Sequence, residues 1–190
     1  VQQPGSGRTG GYITAAVLVV ATLAVGVWII STHGPGPPSR SQLAQLKSAA
    51  AAAHCSLASF PSEGRAHTTG RVHYRTNPPT SGPHNPVPAP DRVYTVAPPP
   101  ENYVHSLEHG RIELQYRPDA PPAVRDALRG VYDDFTHHML LFPNNTGMDF
   151  AVAATAWKHR IGCAHFDPKV PEALLRFRDA YRDRAPEQVP

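Results

Sequence analysis

Residues 111–157 read RIELQYRPDAPPAVRDALRGVYDDFTHHMLLFPNNTGMDFAVAATAW, and their periodicities decide the fold. Arg111 to Tyr116 alternates with period two, which puts Ile112, Leu114 and Tyr116 on one face of a half-buried strand. Asp119 caps a helix expected from about Pro121 to Phe135, on which Val124, Leu128, Val131, Tyr132 and Phe135 recur at helical spacing. Met139 to Phe142 is a short apolar strand before the turn Pro143-Asn144-Asn145. Phe150 to Trp157 is a buried strand of small residues, with Arg160 to Phe166 as its expected partner. Pro171 opens a last helix with Leu174, Leu175, Phe177 and Tyr181 turned inward. Strands interleaved with segregated helices predict an α+β fold, a small mixed or antiparallel sheet with helices packed on it.

Toward the N-terminus the signals weaken. Asn102 to His109 predicts two helical turns, closed by Gly110. Between Asn77 and Pro100 stand nine prolines in 24 residues, which forbids regular helix and central strand alike. So long an irregular segment in a compact domain is a functional loop or a linker. Arg71 to Arg75 alternates weakly and is expected as a strand, residues 56–70 as loop, and Ser41 to Ala53 as a short helix with Leu43, Leu46 and Ala50 on one stripe. Gly34-Pro35-Gly36-Pro37-Pro38-Ser39 is a stiff linker.

Before that linker, Tyr12 to Ile30 carries no charge. Ile13 to Ile30 spans about 27 Å as a helix, close to a hydrocarbon core of roughly 30 Å, and Tyr12 and Trp28 sit near its ends, where such rings favour the interface. A cleaved signal peptide is the alternative, but its apolar region is shorter and ends in a small-residue cleavage site, which Ser31-Thr32-His33-Gly34-Pro35 lacks. A retained single-pass anchor is expected. Arg8 on one side and Arg40 and Lys47 on the other leave its orientation open.

The cysteines supply the orientation. Cys55 and Cys163 are the only two, with no C-x-x-C motif. A distant pair in a proline-rich anchored domain is expected as a structural disulfide facing an oxidising compartment; two buried free thiols are the competing reading. The chain then divides into a cytoplasmic stub at 1–11, a transmembrane helix at 12–30, a linker and short helix at 31–54 and an extracytoplasmic domain at 55–190, held at the cell membrane by its contact with the lipid bilayer. Two cysteines also exclude a disulfide-dense miniature and a Cys-based zinc ribbon. The net charge of +3 comes from scattered Arg and Lys with no basic block, so nucleic acid is not an expected partner.

Chemistry is concentrated in the 11 histidines. His105-Ser106-Leu107-Glu108-His109 places two imidazoles at i and i+4, on one helical face and suited to gripping a metal. Ser81-Gly82-Pro83-His84 presents a third on a rigid turn, and His67 is a fourth candidate. Glu108 is either a ligand or the acceptor that fixes an imidazole tautomer. The alternative is structural, with the same imidazoles pinning the proline loop to the sheet. His105-x-x-Glu108-His109 matches the inverted zinc-peptidase pattern, but Gly110 and the following strand end the helix that such a site needs. No G-x-S-x-G elbow supports Ser81 or Ser106 as a nucleophile, and His137-His138 is expected merely to flank a strand.

Three blocks carry a family likeness: Asn77-Pro78-Pro79-Thr80-Ser81-Gly82-Pro83-His84, Val104-His105-Ser106-Leu107-Glu108-His109-Gly110, and Ala154-Thr155-Ala156-Trp157. In order and spacing the chain from about Cys55 to Glu187 resembles the bacterial domain-of-unknown-function family 3105. The resemblance extends to a His near His67, a Tyr at Tyr74, a late Cys at Cys163 and a Pro-Glu ending at Pro186-Glu187. It implies a membrane-anchored, extracytoplasmic protein of a kind common in actinobacteria, and it singles out His67, His84, His105 and His109 over His73, His137 and His138. It implies no activity. Lys158 departs from a usual Gly and Asn85 from a usual aromatic.

Two function classes follow. One is an extracytoplasmic metal-binding module for copper or zinc, since imidazole suits both and the cysteines are committed elsewhere. The other is a non-catalytic accessory subunit of a larger membrane assembly, such as a respiratory complex, docking through its proline-rich surface. An enzyme ranks third.

Overall fold

The computed structural model describes residues 36–187 and 189. The stub at 1–11 and the expected span at 12–30 lie outside the described residues, among which no helix is long and apolar enough to cross a membrane. A compact unit begins at Pro37. Its elements are α1 (Arg40–Ala52), β1 (Cys55–Ser59), α2 (Pro100–Glu108), β2 (Ile112–Tyr116), α3 (Pro122–Asp134), β3 (Met139–Pro143), β4 (Val152–Ala156), β5 (His159–Cys163) and α4 (Val170–Tyr181). The fold is α+β, with a five-stranded mixed sheet in the order β1-β5-β4-β2-β3. Only β2 and β3 run parallel, joined by the crossover helix α3; the other three pairings are antiparallel.

Each face of the sheet has its own cover. On one face Ile112, Leu114, Met139, Leu141, Val152, Ala154 and Ile161 pack against Leu46 and Ala50 of α1, Leu128 and Val131 of α3, and Leu174 and Phe177 of α4. On the other, Leu140, Phe142 and Trp157 meet Tyr103, Val104 and Leu107 of α2, together with Ala89 and Tyr94 of the proline segment. That segment is therefore a layer of the fold, tied to the sheet by Tyr94 N–H donating to the Leu141 carbonyl (2.8 Å).

Several sequence expectations change accordingly. Strand β2 is buried on both faces, because the proline segment and α2 cover the side that alternation assigned to water: Glu113 and Gln115 are fully buried. Residues 71–75 form no strand, since carboxylates take the backbone donors a neighbouring strand would need: Val72 N–H goes to Glu101 Oε1 and Arg75 N–H to Glu63 Oε2, both at 2.9 Å. Asp119 does not cap α3. It pairs with Arg117 (2.8 Å), and the N-cap is Pro121, with no side-chain cap bond. Within residues 56–70, expected as loop, Ser56 to Ser59 belong to β1, an edge strand with only intermediate and exposed residues. Helix α1 is core rather than linker, with Leu46 1% exposed, and Ser39 starts it with a capping box.

Cys55 and Cys163 form a disulfide across the β1–β5 pair, so neither is a free thiol. At the other end of β5, Lys158 has φ 66° in the two-residue turn from β4, a conformation in which glycine is unstrained.

Two outcomes are expected. Leu46→Ala should destabilise the domain by about 2–5 kcal/mol, whereas the same change at the exposed Leu57 should cost little; urea denaturation compares them. Burial pushes the Glu113 carboxyl well above the usual carboxylate range, against the pull of hydrogen bonds from Thr155 (2.7 Å) and Gln115 (3.2 Å). The folded state thus holds a proton that the unfolded chain releases as pH rises through its ordinary value, so this residue's effect is to lower stability as pH rises from about 4.5 toward neutrality. Glu113→Gln should remove that part of the slope in melts run between pH 5 and 8.

Candidate metal centre

Helix α2 and the proline segment meet along one line, where the histidine blocks converge. Pro100 at the first position starts α2 without a side-chain cap, and Gly110, at φ 83°, follows its C-cap His109. The backbone of Asn85 donates to Glu101 O (3.0 Å), and Ser106 Oγ donates to Ala89 O (2.8 Å), so both ends of the helix hold the segment. Ser106 is thereby committed to the loop backbone. His67 and His84 are joined by a parallel bridge in which Thr68 N–H donates to His84 O (2.8 Å) and His84 N–H to Ala66 O (3.0 Å).

Ligand atoms of His67, His84, His105 and Glu108 all lie within 4.8 Å of one another. The ring centroids are 5.2 Å apart for His67–His84, 5.0 Å for His67–His105 and 4.6 Å for His84–His105. Three imidazoles with nitrogens about 2.0–2.1 Å from one tetrahedral ion have centroids about 5 Å apart. His84 and Glu108 are 0% and 1% exposed, His105 is 4% exposed, and His67 stands exposed at the rim.

The tautomers are fixed by chemistry. His84 Nδ1 lies 2.8 Å from Gly82 O and His105 Nδ1 2.6 Å from Asn85 O. A carbonyl oxygen only accepts, so both Nδ1 atoms carry a proton, and Nε2 is the atom each ring has left to offer. Burial pushes His105 down to about 4, helped by the neighbouring imidazoles and opposed by the Asn85 carbonyl, so it is neutral at pH 7. His84 Nε2 sits 2.9 Å from Glu108 Oε2. The two are not aligned as a hydrogen bond, and this buried nitrogen has no hydrogen-bond partner among the described residues. Arg65 places its guanidinium beside the other carboxylate oxygen (Nε–Oε1 3.0 Å), as a neighbouring charge rather than an aligned donor. Glu108 is left with one oxygen facing the imidazoles. Imidazole nitrogens and a carboxylate oxygen are the donors a cation would need, and His84, His105 and Glu108 are each oriented by a second group behind them.

His109 stands outside this group of four. Its Nε2 is 3.0 Å from His105 Nε2 and 3.3 Å from Glu187 Oε2, while burial and Arg111 lower its pKa against the opposing Glu187 and Glu108. The i, i+4 pair is in contact, but only one member faces the cluster. Arg65 and Glu187 are the residues that sequence reasoning about the histidines passed over. Arg65 has no motif, whereas Glu187 belongs to the Pro-Glu ending noted above.

A second set, His137, His138 and Asp183, also brings ligand atoms within 4.8 Å. Its two rings stack at 3.7 Å and 22°. Imidazole lone pairs lie in the ring plane, so near-parallel stacked rings do not aim two nitrogens at one ion, and His138 Nδ1 is taken by the Asp183 carboxylate. His138 does more than flank a strand: it is buried, at φ 55°.

The fold and cluster define a disulfide-bridged α+β domain whose proline-rich layer carries histidines onto a helix-borne carboxylate. The model of a protein family of unknown function, DUF3105, matches residues 65–190, and the chain belongs to that family. No curated protein and no solved structure matches it.

Gly82 is the backbone position on which His84 depends. It has φ 134°, and a Cβ there would lie 2.9 Å from the Tyr74 ring, which is itself fixed by Tyr74 OH donating to Pro83 O (2.8 Å). Gly82→Ala should therefore cost about 1–3 kcal/mol and move the carbonyl that holds His84 Nδ1. The check is an imidazole nitrogen NMR spectrum in which the His84 tautomer is no longer uniform.

Proposed function

We propose that this chain is a membrane-anchored extracytoplasmic module that holds a copper or zinc ion at His67, His84, His105 and Glu108 and hands it on. The observation that carries this reading is His84 Nε2, fully buried, without a hydrogen-bond partner among the described residues and facing a carboxylate oxygen 2.9 Å away. An imidazole nitrogen and a carboxylate oxygen at that distance share a proton or a cation, and their lack of hydrogen-bond alignment favours a cation in the ring plane. Imidazole and carboxylate donors without thiolate or thioether favour a divalent ion, with copper(II) bound more tightly than zinc. Storage or delivery, rather than a closed structural role, is supported by the exposed ligand His67 at the rim, on a segment without helix or strand. The uncharged run at 12–30 supports anchoring as a single-pass helix, with the disulfide favouring the oxidising side.

The test is elemental analysis of the full-length chain purified in mild detergent, followed by titration with zinc and copper(II). One ion per chain is expected, with His84→Ala and Glu108→Gln each lowering affinity at least about 100-fold while circular dichroism stays unchanged. Absence of metal after purification, with no binding at micromolar zinc or copper, overturns the reading. Co-migration of the metal-free chain with a membrane complex then favours an accessory subunit.

A further inference from the structure

The His105 lone pair is claimed twice. It belongs to the cluster of four, yet His109 Nε2 lies 3.0 Å from it. Because His105 carries its proton on Nδ1, bonded to Asn85 O, a hydrogen bond between the two Nε2 atoms must have His109 as donor. That bond and an ion are alternatives, since both need the same electron pair. A second acceptor for the His109 N–H is already in place: Glu187 Oε2 at 3.3 Å. Glu187 arrives on the chain that follows α4, which is docked by Asp183 N–H on Gly110 O (2.9 Å) and by Glu187 N–H on Glu108 O (3.1 Å). The packing at Gly110 is tight: a Cβ there would lie 2.8 Å from Asp183 Cα.

Resting on the metal-binding reading, we propose that His109 is the gate of the site rather than a ligand. Its Nε2–H caps the His105 lone pair until a divalent cation takes that pair, and then turns to the Glu187 carboxylate. The His105 contact is the shorter of the two, 3.0 Å against 3.3 Å, so uncapping costs part of a hydrogen bond that the move toward Glu187 only partly returns. Loading the site therefore tightens the C-terminal segment over the C-terminal end of α2, and the ion's presence is written on a surface that a partner can read.

Two measurements on the full-length chain with zinc chloride test this. Without the competing donor, His109→Ala should bind zinc about 3- to 10-fold more tightly, the weight of one hydrogen bond. In the wild-type chain zinc should slow hydrogen exchange at the Glu187 amide, and in His109→Ala it should not. If His109→Ala fails to fold, His109→Phe keeps the ring volume and should give the same two results. Zinc affinity falling more than tenfold in the variant would make His109 a ligand and overturn the gate. So would an unchanged Glu187 amide in the zinc-loaded wild type. No zinc binding by the wild-type chain overturns the gate together with the reading beneath it, whereas binding with either of the other outcomes overturns the gate alone.

Discussion

The carbonyl oxygens of Gly82 and Asn85 take the Nδ1 protons of His84 and His105, and the chemistry of the domain follows from where those protons go. With Nδ1 committed, each ring has its Nε2 left to offer, that of His84 toward Glu108 and that of His105 toward His109. Burial of His105 then keeps it neutral, and Glu108 meets the ring nitrogens with a single oxygen because Arg65 stands beside the other. The two carbonyls belong to a segment whose prolines limit its backbone freedom, so the orientation carries less ordering entropy than a flexible loop would require.

That segment explains why strands β2, β3 and β4 have no wet face. Mixed sheets of this size often leave one side to solvent. Here α2 and the proline layer enclose Leu140, Phe142 and Trp157, and they bury a polar string in which Asn144 donates to Gln115 (2.8 Å) and Thr155 to Glu113 (2.7 Å). The cluster forms at the edge of this second core. Trp157, from the turn between β4 and β5, lies edge-on to His84 with ring centroids 6.3 Å apart. Sheet, helix and loop thus each contribute one wall.

The parts legible in the sequence are those that obey a period. Strand β2, helix α3 and helix α4 announce themselves by spacing, and the His105–Glu108 pairing follows from adjacency on one short helix. What escaped lacks a local signature. Strand β1 is an edge held by its β5 partner and a disulfide, with no apolar alternation of its own. The burial of Glu113 depends on α2 and the proline segment folding over it, and no periodicity of the proline segment predicts that cover. The separation of His105 from His109 depends on the chain after α4, which brings Glu187 beside the second imidazole and has no signal near the helix.

Strand β1 pairs with β5, which lies more than a hundred residues later, and α1 packs against α4, the last helix. The first elements of the domain to be synthesised therefore have only each other until nearly all of the rest has been made. Contacts this distant in sequence are slow to form, because loop closure precedes any gain from pairing. A nascent chain carrying Leu46, Ala50 and Cys55 waits with its apolar stripe and thiol exposed until β5 and α4 emerge, which makes the interval before completion the period in which it depends most on a chaperone and a thiol oxidant.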